Sequence, residues 1–267
     1  MKKILVLVIA AMIVLGLAGC SGNTSKVGIE AIKEKGKIVV GLDDNFPPMG
    51  FVDETGEIVG FDIDLAKAVG EKLGVEVEFK PVEWDGIILS LINKDIDLIW
   101  NGLTITEERK KKIGFSGAYM ANKQIVVVNG DSKVNSLKDL SGKIVAAQLE
   151  SSSSEAIDSK AGFKESLNDV KYYPTNTEAF MDLQIGRVDA LVVDEILGRY
   201  YIEQSESDFK VLEEDLGKEL YGIGMRMEDD TLKKEIDKYL KELKKEGKSK
   251  EISEKWFGED IVLTEAE

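Results

Sequence analysis

Apolar positions along the chain switch repeatedly between the alternation of a strand and the three-to-four spacing of an amphipathic helix. Lys37-Ile38-Val39-Val40-Gly41-Leu42 predicts a strand that runs into a turn at Asp43-Asp44-Asn45-Phe46-Pro47-Pro48. Gly60 to Ala66 opens a helix with Asp62 and Asp64 in its first turn, where the helix dipole favours acids. Leu65, Ala66, Val69 and Leu73 make its buried stripe, and Gly74 stops it. Val75 to Phe79 alternates as a strand, and Asp85 is the expected cap of a helix carrying Ile88, Leu89, Leu91 and Ile92. Ile96 to Trp100 is a short apolar run ended by Gly102, and Thr106 is a good N-cap for a helix beginning Glu107-Glu108-Arg109. This β-α-β-α-β order predicts an α/β lobe with a largely parallel sheet.

The pattern then starts again. Gln124 to Val128 reads as a strand, and Lys143 to Ala147 as another that leads through Gln148-Leu149-Glu150 into four serines. Ser151 and Ser152 are expected to cap a helix carrying Glu155, Ala156 and Ile157, the alternative being a flexible serine linker. Thr175 caps a helix with Ala179, Phe180, Leu183 and Ile185, and Gly186 to Asp194 is a turn and a strand that ends on an acid. Leu220 to Met225 predicts a strand with glycines, and Thr231 to Trp256 a helix with Leu232, Ile236, Leu240 and Leu243 on its apolar side.

The first residues belong to a different kind of segment. Met1-Lys2-Lys3, an apolar stretch from Ile4 to Leu15 and the close Leu17-Ala18-Gly19-Cys20 form a secretory signal, too short for a stable spanning helix. The cysteine after Leu-Ala-Gly resembles the lipobox of bacterial lipoproteins, which implies a signal peptide over 1–19, cleavage before Cys20, and lipid on its sulfur and amino group. Cys20 is the only cysteine, so no internal disulfide is expected. Several acyl chains on one residue anchor durably. Residues 20–26 then read as the lipidated cysteine and a small polar tether, and the expected location is the extracytoplasmic face of the membrane.

Composition narrows the chemistry. The chain is 43% hydrophobic and 32% charged with a net charge of −15, which argues against nucleic acid and against broad contact with anionic lipid. With no histidine and the cysteine committed, zinc ligation and histidine-dependent triads are not expected, and no glycine-rich phosphate cradle is present. No cofactor or metal is expected. What stands out is the stretch Asn101 to Arg109, where a strand end, Gly102, the hydroxyls of Thr104 and Thr106, and an arginine converge. A guanidinium offers a planar fork of donors that matches a carboxylate, though a plain strand-turn-helix corner is the competing reading.

Taken together, four strings resemble one family. They are Gly60-Phe61-Asp62-Ile63-Asp64-Leu65-Ala66, Gly102-x-Thr104-x-Thr106-x-x-Arg109, Phe115-Ser116 with Tyr119, and Val188-Asp189-Ala190 before Asp194. In this order they are similar to the polar amino-acid-binding proteins of ABC importers, the family 3 extracellular solute-binding proteins, over about residues 37–257. The resemblance implies a two-lobed, type II periplasmic-binding-protein fold of the α/β class, with a two-strand hinge near Asn122-Lys123 and Tyr221-Gly222. It implies one lobe over 27–122 plus 223–267 and the other over 123–222.

The resemblance also implies roles. Arg109 would grip the α-carboxylate of a ligand, Thr104 and the Gly102 backbone would share its carboxylate and ammonium, and Asp194 would take the ammonium. The helix start at Ser151-Ser152 would add donors from the other lobe. Asn101 and Gln148 belong to the same candidate set, and Phe46 and Trp84 fall where the family places aromatic walls, with core packing the alternative. Asp43, Asp44, Glu83 and Glu150 would form an acidic patch suited to a cationic side chain such as arginine, lysine or ornithine. Surface scatter of acids in an acidic chain is the competing explanation, and glutamine or another polar amino acid fits as well. Glu150 departs from relatives, which usually carry a small residue there. The implied function is delivery of a polar L-amino acid to an ABC permease by a monomeric, lipid-anchored receptor without catalysis. A cleft enzyme of the same fold, dehydratase-like, or an extracytoplasmic sensor module are the alternatives.

Overall fold

The computed structural model describes residues 28–205 and 208–263. The signal expected over 1–19, the lipidation expected at Cys20 and the tether over 20–26 lie outside the described residues.

After a short helix, α1 (Ile29–Lys35), the strand β1 (Lys37–Leu42) is buried from its second residue onward, as a strand covered on both faces should be. It pairs in parallel with β5 (Glu76–Pro81) and β6 (Leu98–Ile99). The remaining members of this five-stranded sheet are β14 (Gly224–Met225), antiparallel to β6, and β7 (Gly114–Phe115), at the edge. A small antiparallel sheet of β2 (Asn45–Phe46), β3 (Gly50–Val52) and β4 (Ile58–Val59) leads into α2 (Phe61–Leu73), whose predicted stripe of Leu65, Ala66, Val69 and Leu73 is buried.

The second sheet runs β10 (Asp169–Tyr173), β9 (Ile144–Gln148), β11 (Ala190–Asp194), β8 (Met120–Asn129), β12 (Phe209–Val211), with β13 (Lys218–Tyr221) also on β8. The first three are mutually parallel, and β8 is antiparallel to each of its partners. The helices α5 (Ser152–Ser159), α6 (Phe163–Ser166), α7 (Asn176–Gln184) and α8 (Glu195–Gln204) belong to this half. The architecture is therefore the expected two-lobed α/β fold. Two strands carry the chain between the halves: Met120 to Lys123 at the start of β8 face Tyr221 to Lys218 of β13 in antiparallel register.

Several local expectations need correcting. Asp85 caps nothing; Trp84–Gly86 is a 3-10 turn, and α3 (Ile87–Ile92) starts without a side-chain cap. In so short a helix Ile87 and Leu91, one turn apart, are buried and Ile88 packs half-buried against the same core, while Leu89 and Ile92 are 60% and 50% exposed. Leu220 to Met225 is two strands, not one, because the chain passes from one sheet to the other at Gly222, whose N–H donates to the Leu103 carbonyl at 2.9 Å. The C-terminal helix is likewise two, α9 (Asp230–Lys245) and α10 (Lys248–Phe257), divided at Gly247 in the left-handed conformation with φ 80°. Ile185 lies just past the end of α7 and is exposed. The pattern did not announce α1, α8, β10 or the small sheet.

Candidate functional site

The predicted residues gather where the two sheets face each other. The loop after β6 carries Asn101, Gly102 and Thr104 to the short helix α4 (Glu107–Lys110), which Thr106 caps by accepting from the Arg109 N–H at 3.2 Å. Arg109 is thereby set with its side chain buried. Its Nη1 donates to the Thr104 carbonyl at 3.0 Å, and its Nη2 donates to the Glu150 carbonyl, on the other half, at 3.3 Å. The guanidinium carbon lies 5.5 Å from the centroid of the Trp84 ring, a cation–π contact. Burial pulls the Arg109 pKa down from the usual arginine value, and the charges of Glu155, Asp194, Glu219 and Glu150 oppose that shift.

Thr104 is the centre of the arrangement. Its hydroxyl lies 3.1 Å from the Ser152 hydroxyl and 2.8 Å from Glu219 Oε1. The same Glu219 oxygen accepts from Asn122 Nδ2 at 2.6 Å and from Gln124 Nε2 at 2.8 Å. Asn122 Nδ2 also donates to Asp194 Oδ1 at 2.5 Å, and the Tyr221 hydroxyl donates to that oxygen at 2.6 Å. Asp194 is buried, and burial together with the nearby charge of Glu219 holds its carboxyl well above the usual carboxylate range.

Ser151 and Ser152 take different parts. The Ser151 hydroxyl caps α5, accepting from Ser154 N–H at 3.2 Å, and donates to the Gln148 carbonyl at 2.7 Å. Ser152 is the first residue of the helix proper, and its hydroxyl faces Thr104 and Gln124. Glu150 has φ +55°, unusual for a residue with a side chain. It presents its carbonyl, not its carboxylate, to Arg109. The side chain is exposed at a groove of about 500 Å³ shared with Trp84, Ile88, Arg109 and Ser151.

A second contact zone lies beside the first. Asp43 is buried; its Oδ2 accepts from Gln148 Nε2 at 2.7 Å, and its N–H donates to Asn101 Oδ1 at 3.0 Å. Burial raises the Asp43 carboxyl, the Gln148 and Asn45 hydrogen bonds work against this, and Asp44 and Glu83 add to it. Of the four acids expected to form a patch, Asp44 and Glu83 lie near enough to act on Asp43, whereas Glu150 lines the groove beside Arg109 and Trp84. Asn176 Nδ2 donates to Gln148 Oε1 at 3.0 Å, and Asn101 Nδ2 and Asn176 Oδ1 are buried without a hydrogen bond. Phe46 packs in the core with Met49, Trp100 and Tyr119, and its ring edge lies 2.9 Å from where a Gly102 side chain would begin.

Gly102 has φ +58°, and its N–H donates to Asp62 Oδ2 at 2.7 Å. Asp62 also accepts from the Tyr119 hydroxyl at 2.9 Å and is fully buried, which raises its pKa to about 7. The sequence placed both Asp62 and Asp64 at the helix N-terminus for the sake of the dipole. Both do lie in the first turn of α2, but Asp62 turns inward to Gly102 and Tyr119, while Asp64 pairs near the surface with Lys255 and Trp256. Glu219, Gln124 and Asn176 were not singled out, since nothing in their local sequence marks them.

Comparison with known proteins finds relatives along most of the chain. The family model of bacterial extracellular solute-binding proteins, family 3, matches residues 38–259. The L-cystine-binding protein TcyJ of Escherichia coli (strain K12) is 32% identical over 236 residues, 88% of this chain and 87% of that protein. The arginine-binding extracellular protein ArtP of Bacillus subtilis (strain 168) is 32% identical over 262 residues, 96% of this chain and 98% of that protein. Among solved structures, an ABC uptake transporter substrate-binding protein from Streptococcus pneumoniae with bound histidine superposes with a TM-score of 0.87 at 38% identity. That match covers 90% of this chain and 100% of the other.

Proposed function

The chain belongs to the bacterial extracellular solute-binding proteins of family 3, and from there we propose that it captures a polar L-amino acid and hands it to an ABC importer without chemistry of its own. The observation that carries this reading is the continuous path from Arg109 through Thr104, Glu219 and Asn122 to Asp194. It puts a buried guanidinium and a buried carboxylate at the two ends of one polar track between the sheets. A zwitterion has a carboxylate for the guanidinium fork and an ammonium for the carboxylates, and a buried charge needs such a partner. Ser152 at the start of α5 adds a hydroxyl and helix N–H groups from the opposite side.

In this reading the lobes are 27–122 plus 223–267 and 123–222, and β8 and β13 are the hinge about which they close on the ligand. The Asp43–Gln148 zone receives the far end of the ligand, with Asp44 and Glu83 giving it a negative field that favours arginine, lysine or ornithine. Binding proteins for arginine, cystine and histidine among the similar proteins are in keeping with a polar amino acid. Cys20 is the site of lipid attachment, tethering a monomeric domain to the outer face of the membrane beside its permease.

A thermal-shift screen of the purified protein against the L-amino acids tests the proposal. A ligand that binds only the native state raises the midpoint by mass action. A rise with one or a few polar amino acids is expected; a flat response to all of them would sink the reading.

A further inference from the structure

A cavity of about 380 Å³ shares no residue with the polar track. Its lining combines Leu65 of α2, Leu240, Lys241 and Lys244 of α9, Tyr119 just ahead of β8, and Val262. The last described residues are fixed beside the root of the connecting strand. Val262 bridges Met120 in antiparallel register, and Leu263 N–H donates to the Tyr119 carbonyl at 3.0 Å. Leu65 and Tyr119 are buried, whereas Leu240 and Val262 are half-buried, which leaves apolar surface at the walls.

The cations of this cavity lack counter-charges, in a chain whose net charge is −15. Lys244 Nζ donates to two carbonyls, of Val262 at 2.7 Å and of Leu263, and neither compensates its charge. Burial pulls its pKa below the usual lysine value, and the charge of Asp260 opposes that shift. Lys241, one turn earlier on the same helix face, is exposed. Asp237, the one acid in the lining, is already engaged: its Oδ1 accepts from Gly117 N–H at 2.7 Å and its Oδ2 from Lys233 at 3.2 Å. A half-buried amine without a counter-charge, beside apolar walls, is complementary to an anion with an apolar body.

We propose that this cavity is a second ligand site, for a small carboxylate with an apolar tail. The head sits by the Lys241 and Lys244 amines, and the tail lies against Leu65, Leu240 and Val262. The hydroxyl of the buried Ser249, also in the lining, is a further donor for the head. The site goes beyond amino-acid capture, which uses the gap between the two sheets.

Octanoate is the probe, and octanol, with the same chain and no charge, is the control. In amide NMR of the purified protein, octanoate should shift the signals of Ala118, Tyr119, Lys244 and Val262 in a saturable way. Octanol should bind about tenfold more weakly, the scale of one hydrogen bond to a charged group, and Lys244→Met should weaken octanoate by a similar factor. Because that variant also loses two bonds to the chain's own carbonyls, Lys241→Gln is read beside it. Lys241 is exposed, so its replacement leaves the packing untouched and should weaken octanoate about twofold to fivefold. No saturable shift, equal binding of octanol, or shifts centred on Thr104 and Ser152 would each overturn the site. So would an octanoate affinity unchanged in both variants. All of these outcomes leave amino-acid capture standing, since the thermal-shift screen decides that separately.

Discussion

The hydroxyl oxygens of Thr104 and Ser152, 48 residues apart in sequence, lie 3.1 Å from each other across the gap between the two halves. Gln148 with Asp43, at 2.7 Å, and Arg109 with the Glu150 carbonyl, at 3.3 Å, cross the same gap. These three polar contacts bridge the two halves, beside an apolar one between the Phe51 and Tyr200 rings at 6.1 Å.

The Gln148 contact is the most easily tested of these. Gln148→Ala removes three hydrogen bonds, to Asp43, Pro174 and Asn176, and leaves Asp43 buried with only the Asn45 N–H donating to it. An unsatisfied buried acceptor costs about 1–3 kcal/mol. The ligand-free variant should therefore be less stable to urea by that amount and show a larger radius of gyration in small-angle scattering than wild type.

Gly102→Ala should damage both stability and binding. A β-carbon there would stand 2.9 Å from the Phe46 ring and 3.3 Å from Tyr221, on a backbone whose φ of +58° disfavours any side chain. The strain should cost roughly 1–2 kcal/mol, measured by chemical unfolding. Because the same residue presents its N–H to Asp62, the loop holding Thr104 should shift and ligand affinity should fall.

Asp62 makes stability depend on pH in an unusual direction. Its carboxyl is raised from 3.8 to about 7 by burial, so between those values the folded protein holds a proton that the unfolded chain has released. The contribution is fully present below pH 3.8 and is lost as pH rises through about 7, a change on the order of 4 kcal/mol. Urea unfolding of wild type and Asp62→Asn from pH 4 to 8 isolates it, since other carboxylates titrate in both. The wild type should lose stability relative to the variant as pH rises, and a constant difference would refute the assignment.

Ligand affinity should follow pH in the opposite sense. Asp194 faces Glu219, Tyr221, Asn122 and Gln124, with the Arg109 charge further off, and its carboxyl is held well above the usual range. An ammonium needs it ionised, so the proton must leave on binding, and affinity should weaken as pH falls. Titration calorimetry from pH 8 downward checks this. Asp194→Asn should bind far more weakly, by at least a hundredfold, and should lose most of the pH dependence. Arg109→Lys should also weaken binding, since a point charge cannot reproduce the planar fork.

Much of this was legible before any coordinates. The strands at Lys37–Leu42 and Ala190–Asp194, the stripe of α2 and the caps at Thr106, Ser151 and Thr175 follow from apolar spacing and side-chain hydrogen bonds within one turn, so nearby residues suffice to specify them. The family-like strings supplied the candidate residues, and Thr104, Arg109, Ser152 and Asp194 do lie along one polar track. Where local signals were weak or exceptional, the reading slipped: six residues were too few for α3 to bury its whole predicted stripe, and one glycine divided the last helix.

Tertiary structure alone decided the rest. Glu219 reaches Thr104 from 115 positions away because β13 pairs with β8 in a register that turns its side chain toward Asn122 and Gln124. Asp62, similar to Asp64 as a helix-start acid, points inward only because the loop at Gly102 passes over it. Strand register and loop placement depend on contacts across the whole chain, and a shift of one residue in the β13–β8 pairing would send Glu219 to the opposite face. Residue types and local elements are written in short stretches of the sequence, whereas which charges meet is a property of the assembled fold.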